Sequence, residues 1–182
     1  MRITVVGRGR LGGGLADLWE GAGHAVTRLG RGGGDVSNAD AVLVAVPGGA
    51  IAEAFDRIRG VEGKTMIDAT NLPGVPPPAG FASNAEFVKS RTKGPTAKSF
   101  NVNFASLFGR LGEARVRPGN VWCGDEESRE VVEQLNRDAG YDPVHTGPLE
   151  SAAAQEALIG VIFGIADGMG LCVYRFAPVD QL

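Results

Sequence analysis

Residue types that carry chemistry unaided are scarce in this chain. It has two cysteines and two histidines in 182 residues. Cys123 and Cys172 stand far apart and form no CxxC pair, so neither a disulfide scaffold nor a zinc cluster is expected. With only His24 and His145 beside them, no metal site is expected at all. There is no Ser-His-Asp set, no tyrosine–lysine pair at YxxxK spacing and no paired carboxylates in a glycine-rich setting. No residue is therefore singled out as catalytic. Charge of one sign is also lacking: the net charge is −3, which gives nucleic acid or an anionic membrane surface no electrostatic reason to bind. No uninterrupted run of 18 apolar residues occurs, and the longest candidate, Ala157 to Ala166, stops at Asp167. The chain opens directly on a strand, with no room for a signal peptide. These absences lead us to expect a soluble, cytoplasmic protein acting on a small molecule.

What is abundant is glycine, with 28 residues, and its placement is informative. The opening MRITVVGRGRLG is an apolar run followed at once by Gly7-x-Gly9-x-x-Gly12. Ile3–Val6 reads as a buried strand and Leu11–Glu20 as the helix after it. That order is the context a dinucleotide fingerprint requires. The first glycine permits a tight turn, the second lets the backbone approach a pyrophosphate, and the third lets helix and strand pack closely. The pyrophosphate would sit on free N–H groups at the positive end of the helix dipole. The whole loop, with Arg8, Arg10 and Leu11 between its glycines, is the expected cofactor cradle.

Downstream, strand-like and helix-like runs alternate, the mark of a parallel α/β sheet. Strands are expected at Ala25–Leu29, Ala41–Val46, Thr65–Ala69, Ala97–Phe100, Val121–Cys123 and Pro143–His145. Helices are expected at Ile51–Arg59, Ala85–Arg91, Asn103–Leu111, Glu126–Ala139 and Glu150–Met169. Asn71–Gly80 holds four prolines and two glycines in ten residues and reads as a stiff loop. Between Arg31 and Ala41 lie only the nine residues GGGDVSNAD, too few for a crossover helix plus a third strand. A glycine loop with a vestigial strand at Asp35-Val36 is expected there, leaving the adenine side of the site open. The expectation is one Rossmann-type, doubly wound, mostly parallel domain over residues 1–182. Its second-to-third strand region is shortened, and residues 149–182 form a C-terminal helical extension. Gly160, Gly164 and Gly168 share one helix face, which suggests close packing, either on the chain's own sheet or in a homodimer seam or pocket floor.

NAD-binding members of this fold carry an acidic residue about 20 positions beyond the glycines. Here the second strand ends Arg28-Leu29-Gly30-Arg31, and Arg31 falls 19 residues after Gly12. A guanidinium there grips a 2′-phosphate two oxygens at a time, which favours NADP over NAD. Asp35 is the rival: if the loop folds back, it takes the NAD role.

Several further blocks carry a resemblance. They are MIDATNLP at Met66–Pro73, AKSFNVNFASL at Ala97–Leu107, CGDEE at Cys123–Glu127 and AGYDPVHTGPLESA at Ala139–Ala152. With the fingerprint and Val46-Pro47, they make the chain similar, over nearly its whole length, to the NADP oxidoreductases dependent on coenzyme F-420, a deazaflavin, and their bacterial relatives. The resemblance implies a Rossmann domain whose C-terminal extension helps form the acceptor site. It implies that Gly7–Gly12 hold the pyrophosphate, Arg31 the 2′-phosphate, and Val46 and Pro47 the ribose. Ala69, Thr70 and Asn71 would approach the nicotinamide, with Phe100 and Asn101 beside the reacting ring. The chain departs from the family in reading FNV for FNT at Phe100–Val102, in Leu72 before Pro73, and in His145, where a small or acidic residue is more usual. His145 is the one proton donor to be expected near the acceptor in the second half of the chain. The reaction expected is hydride transfer between NADP(H) and an organic acceptor, a flavin or deazaflavin, in which the cofactors carry the chemistry. Two alternatives stand beside it. One is a non-catalytic NADP(H) sensor; the other is a dehydrogenase of a small hydroxy or imino acid, anchored by Lys98, Arg110 or Arg175.

Overall fold

The computed structural model describes residues 1–181. The chain runs β1 (Arg2–Val6), α1 (Arg10–Gly21), β2 (Ala25–Leu29), β3 (Gly34–Asp35), β4 (Ala41–Val44), α2 (Ile51–Phe55), β5 (Ile58–Arg59) and β6 (Thr65–Asp68). It continues through α3 (Asn84–Thr92), β7 (Thr96–Ser99), β8 (Gly119–Gly124), α4 (Arg129–Asp138), β9 (Asp142–His145) and α5 (Ala152–Met169). Seven strands form one sheet in the order β2-β1-β4-β6-β7-β8-β9, and all neighbours are parallel except β7 and β8. This is the mostly parallel, doubly wound α/β sheet that the alternating pattern predicts.

The register explains the continuous apolar strands. Along β4, Ala41 and Leu43 enter one core with Ile3, Val5, Leu15, Trp19 and Ile67. Val42 and Val44 enter the other, with Ile51, Phe55, Met66, Phe87 and Val88. Successive side chains point to opposite faces, so a strand covered on both sides has to be apolar throughout. Helix α1 buries Gly12, Leu15, Ala16 and Trp19 along one face, and the Trp19 indole donates to the Leu135 carbonyl at 2.9 Å, tying α1 to α4.

The shortened region folds as the residue count requires, and differs from a full Rossmann half in an instructive way. β3 does not join the main sheet. It pairs in parallel with β5, Gly34 opposite Ile58 and Asp35 opposite Arg59, as a separate two-stranded ribbon. The expected helix Ile51–Arg59 consequently ends at Phe55, because Ile58 and Arg59 must be extended to pair with β3. Two other expectations change. The strand from Ala41 stops at Val44, short of Val46, where the chain turns before Pro47, a residue with no N–H for a ladder. The segment expected as a helix at Asn103–Leu111 is a run of 3-10 turns over Ala105–Glu113.

The C-terminal helix stands apart from the rest. Leu149–Met169, the helix with its preceding turn, has mean hydropathy 1.4 and is long and apolar enough to cross a membrane by length and composition. Its first turns are nonetheless built into the fold, with Ala152 and Gln155 buried. Beyond them Val161, Phe163, Ile165 and Met169 are exposed, as are Leu171 and Phe176 in the tail. A Cβ placed on Gly160, Gly164 or Gly168 meets no atom within 4 Å. The glycine stripe therefore does not pack on the chain's own sheet.

Candidate functional site

Strand order reverses between β1, which leads outward to β2, and β4, which lies on the other side. Open α/β sheets bind ligands at such a switch point, beyond the carboxyl ends of the strands. A cleft of about 710 Å³ opens there, and Gly7, Arg8, Gly9, Arg31, Val46 and Pro47 line it together. Six of the twelve residues assigned to a cofactor from the sequence thus share one cavity.

The three glycines of the loop do different work. Gly7 has φ +112°, and a Cβ there would lie 2.2 Å from the Ala45 carbonyl oxygen. At Gly12 a Cβ would lie 2.1 Å from the Gly7 carbonyl oxygen and 3.1 Å from Val5. Both positions are closed by the protein itself. Gly9 is the N-cap of α1, and a Cβ there meets nothing within 4 Å. It faces open cleft, so the bare backbone at the head of α1 is left for something outside the chain. No acidic side chain occupies the first turn of that helix to neutralise its dipole. The cradle fits a pyrophosphate. Arg10 and Leu11 belong to the first turn of α1, and Gly12 packs inward; none of the three lines the cleft.

The end of the cleft near β2 is cationic. The Arg8 guanidinium lies over Gly30, where a Cβ would come within 2.6 Å of it. Arg31 and Arg57 line the same cavity. Arg57 donates to the Arg31 carbonyl at 2.9 Å and pairs with Glu53 at 2.6 Å. Neither Arg8 nor Arg31 forms an ion pair among the described residues. Asp35 is elsewhere: its carboxylate accepts the Ser37 N–H at 2.8 Å, and the Ser37 side chain together with that N–H holds it below its ordinary range. The loop does fold back, but it turns Asp35 into the ribbon with β5 rather than into the cleft. Arg57 is the residue sequence reading missed. Its signal was hidden because Ile51–Arg59 read as one helix.

At the other end, the loops after β6 and β7 are held by buried polar groups. Asp68 accepts the Thr70 N–H at 2.9 Å, and Lys98 donates to the Thr70 carbonyl at 2.9 Å. Lys98 Nζ also lies 2.8 Å from Asp68 and 2.7 Å from Glu156 on α5, and the Lys98 side chain has 0% exposure. The Glu156 contact is a close ion pair outside good hydrogen-bonding angles, since its Oε1 has no hydrogen-bond partner by geometry. Burial works against the Lys98 charge, but the two carboxylates outweigh it and raise its pKa. Asn84 donates to the Thr70 hydroxyl at 2.8 Å. The Asn71 amide donates to the Asn101 carbonyl at 2.6 Å and accepts from the Asn101 amide at 3.0 Å. Gln155 of α5 then donates to Asn101 at 2.9 Å. Ala69, Thr70, Asn71 and Asn101 are thereby brought together and locked to α5, although none of them lines the cleft around the glycine loop.

Two residues expected at the acceptor are not brought there. Phe100 has left-handed φ of 65°, which turns its ring back into the core, fully buried and edge-on to Trp19 at 5.8 Å. His145 ends β9 at the far edge of the sheet, four strands beyond β4. There it stacks on Trp122 with ring centroids 4.3 Å apart. The proposed carboxylate anchors are also committed: Lys98 to its two acids, Arg110 to Glu113 at 2.8 Å, and Arg175 to Asp142. Cys123 is buried, which pushes its thiol up to about 11 and leaves it inert. Among the described residues no group of three His, Cys, Asp or Glu side chains could hold a metal ion.

Sheet order, switch-point cleft and glycine turn define a Rossmann-type α/β fold. Solved structures share it. A protein from Arthrobacter sp. FB24, described as a candidate F-420-dependent NADP-reductase, superposes with TM-score 0.81 at 21% identity, covering 97% of this chain and 99% of its own. A hypothetical protein from Sinorhizobium meliloti does so with TM-score 0.67 at 19% identity, covering 84% and 88%. A reductive aminase from Aspergillus terreus, in complex with NADPH and ethyl levulinate, reaches TM-score 0.66 at 16% identity, covering 92% of this chain and 63% of its own. No protein-family profile matches the chain, and no curated protein does. The likeness in fold agrees with the resemblance carried by the sequence blocks.

Proposed function

We propose that this chain is an NADPH-dependent oxidoreductase that passes hydride between NADP(H) and a bound organic acceptor, a deazaflavin or flavin. The observation that carries this is the cleft itself. An open backbone at Gly9 and an arginine cluster of Arg8, Arg31 and Arg57 meet in one cavity at the switch point. The loop from Gly7 to Gly12 holds the pyrophosphate against the N-terminus of α1, while Arg31 and Arg8 take the 2′-phosphate. Val46 and Pro47 border the ribose; Ala69, Thr70 and Asn71 border the nicotinamide. The bound dinucleotide supplies the hydride, and the protein supplies alignment and exclusion of water. The rigid loops after β6 and β7 suit that task. The small hydroxy- or imino-acid reading loses its support with the burial of Lys98.

Calorimetric titration tests the cofactor. NADPH is expected to bind at least tenfold more tightly than NADH, a difference of about 1.4 kcal/mol, and Arg31→Ala is expected to abolish that preference while leaving NADH binding unchanged. Equal binding of the two by the parent protein would remove the 2′-phosphate clamp. Anaerobic mixing of NADPH with flavins and deazaflavins tests the acceptor, with oxidation of the nucleotide as the expected result. If NADPH binds and none of them is reduced, the acceptor assignment fails.

A second copy of the chain is the partner for the outer face of α5. Exposed Val161, Phe163 and Ile165 interleave there with Gly160 and Gly164, over which there is open space. Light scattering is expected to show a dimer that Gly164→Glu converts to a monomer. A monomeric parent protein, or one that sediments with vesicles instead, would overturn the pairing.

A further inference from the structure

We propose that the buried cluster of Asp68, Lys98 and Glu156 makes the site prefer the oxidised, cationic nicotinamide over the reduced, neutral one. The inference rests on the dinucleotide reading above, in which Ala69–Asn71 border the ring. Its basis is a charge count in a place sealed from water. Two carboxylates face one ammonium, with side-chain exposures of 0% for Asp68, 0% for Lys98 and 11% for Glu156. One negative charge is left over. Among the described residues, the neutral donor to these carboxylates is the Thr70 N–H on Asp68.

The cluster sits directly under the segment that would border the ring. Asp68 binds the Thr70 N–H and Lys98 binds the Thr70 carbonyl, so both polar atoms of that peptide residue are fixed by the cluster. Of the elements packed around it, β6 supplies Asp68, β7 Lys98, α5 Glu156, and β8 Cys123. Cys123 adds no charge, because burial keeps its thiol protonated. Burial also raises the Glu156 pKa, against the pull of Lys98, so its charge is fullest at mildly alkaline pH. A nicotinamide ring is neutral when reduced and carries one positive charge once its hydride has passed to the acceptor. The phosphates are the same in both forms, so a fixed charge near the ring separates the two by the ring charge alone. Two unit charges ~10 Å apart at an effective dielectric of about 20 shift a binding ratio on the order of tenfold.

The experiment is a pair of titrations, with NADP+ and with NADPH, at mildly alkaline pH. The parent protein is expected to bind NADP+ at least as tightly as NADPH. Glu156→Gln, which neutralises the leftover charge without changing the side chain's shape, is expected to lower the NADP+/NADPH affinity ratio about tenfold, through weaker NADP+ binding. Glu156→Asp keeps the charge and is expected to keep the ratio, which a purely structural role for Glu156 would not do. Should Glu156→Gln fail to fold, Asp68→Asn makes the same change of charge and carries the same expectation. A folded neutral variant with an unchanged ratio overturns the proposal, as does a parent protein that prefers NADPH. If neither form binds the parent protein, the dinucleotide reading itself has failed, which is a different result from an unchanged ratio.

Discussion

Gly9→Val is expected to abolish NADPH binding while leaving thermal stability within about 2 °C of the parent, whereas Gly12→Val is expected to abolish the fold. The two positions belong to the same six-residue loop, and the motif assigns them different roles, pyrophosphate approach at Gly9 and helix–strand packing at Gly12. The structure gives that difference a geometry. A Cβ added at Gly9 enters the cleft and meets no protein atom within 4 Å. A side chain there occupies the space that a pyrophosphate needs to reach the N–H groups at the head of α1. At Gly12 the first added carbon already lies 2.1 Å from the Gly7 carbonyl oxygen, so α1 cannot stay seated on β1. Strain of this kind exceeds the 1–3 kcal/mol typical of overpacking. Calorimetry and thermal melts on the two variants make the comparison. Retained binding in a folded Gly9→Val protein would show that the cleft is not a pyrophosphate site.

Lys98→Met is expected to be the most destabilising single change that adds no bulk. Removing one partner of a buried ion pair leaves charge without compensation and typically costs about 3–5 kcal/mol. Here two carboxylates are stranded at once, and the Thr70 carbonyl loses its donor. For a chain of this size each kcal/mol moves the melting temperature by about 2–4 °C, so a fall on the order of 10 °C is expected. Adding Asp68→Asn and Glu156→Gln to Lys98→Met is expected to restore most of the loss, because the cost lies in unpaired charge rather than in lost packing. Melting curves of the single and triple variants decide this. A triple variant no more stable than the single one would show that the cluster stabilises by packing.

Much of this architecture was legible in the residues because local and global preferences agree. Ala41–Val44 and Met66–Ile67 are apolar without alternation, as strands covered on both faces must be, and Ile3–Val6 is broken only by the buried Thr4. The glycine spacing located the cleft, and the length of Gly32–Asp40 excluded a third strand in the main sheet. Arg57 was hidden because a five-residue helix followed by an extended pair has the same apolar spacing as one longer helix. Phe100 was misplaced for a different reason. Its neighbour Asn101 does reach the loop after β6, but a left-handed backbone at position 100 sends the two side chains apart, and nothing in the residue types announces a positive φ on an aromatic. Lys98 looked like a cation free to bind a substrate, since its partners lie 30 and 58 positions away along the chain. Contacts so distant in sequence leave no periodic trace.

The missing third strand has one more effect, on how the protein avoids sticking to itself. In a full Rossmann sheet β2 is an inner strand; here, among the described residues, it pairs with β1 alone and is the free edge of the sheet. A free edge exposes a row of unpaired N–H and C=O groups that invites another strand to add on. This edge is five residues long and carries Arg28 beside its end, with the guanidinium tethered to Asp17 at 2.8 Å and Glu20 at 2.7 Å. An intruding strand would have to bury those charges or displace them. By leaving out one strand the chain opened its switch-point cleft and acquired an aggregation-prone margin, and shortness and a tethered arginine guard it.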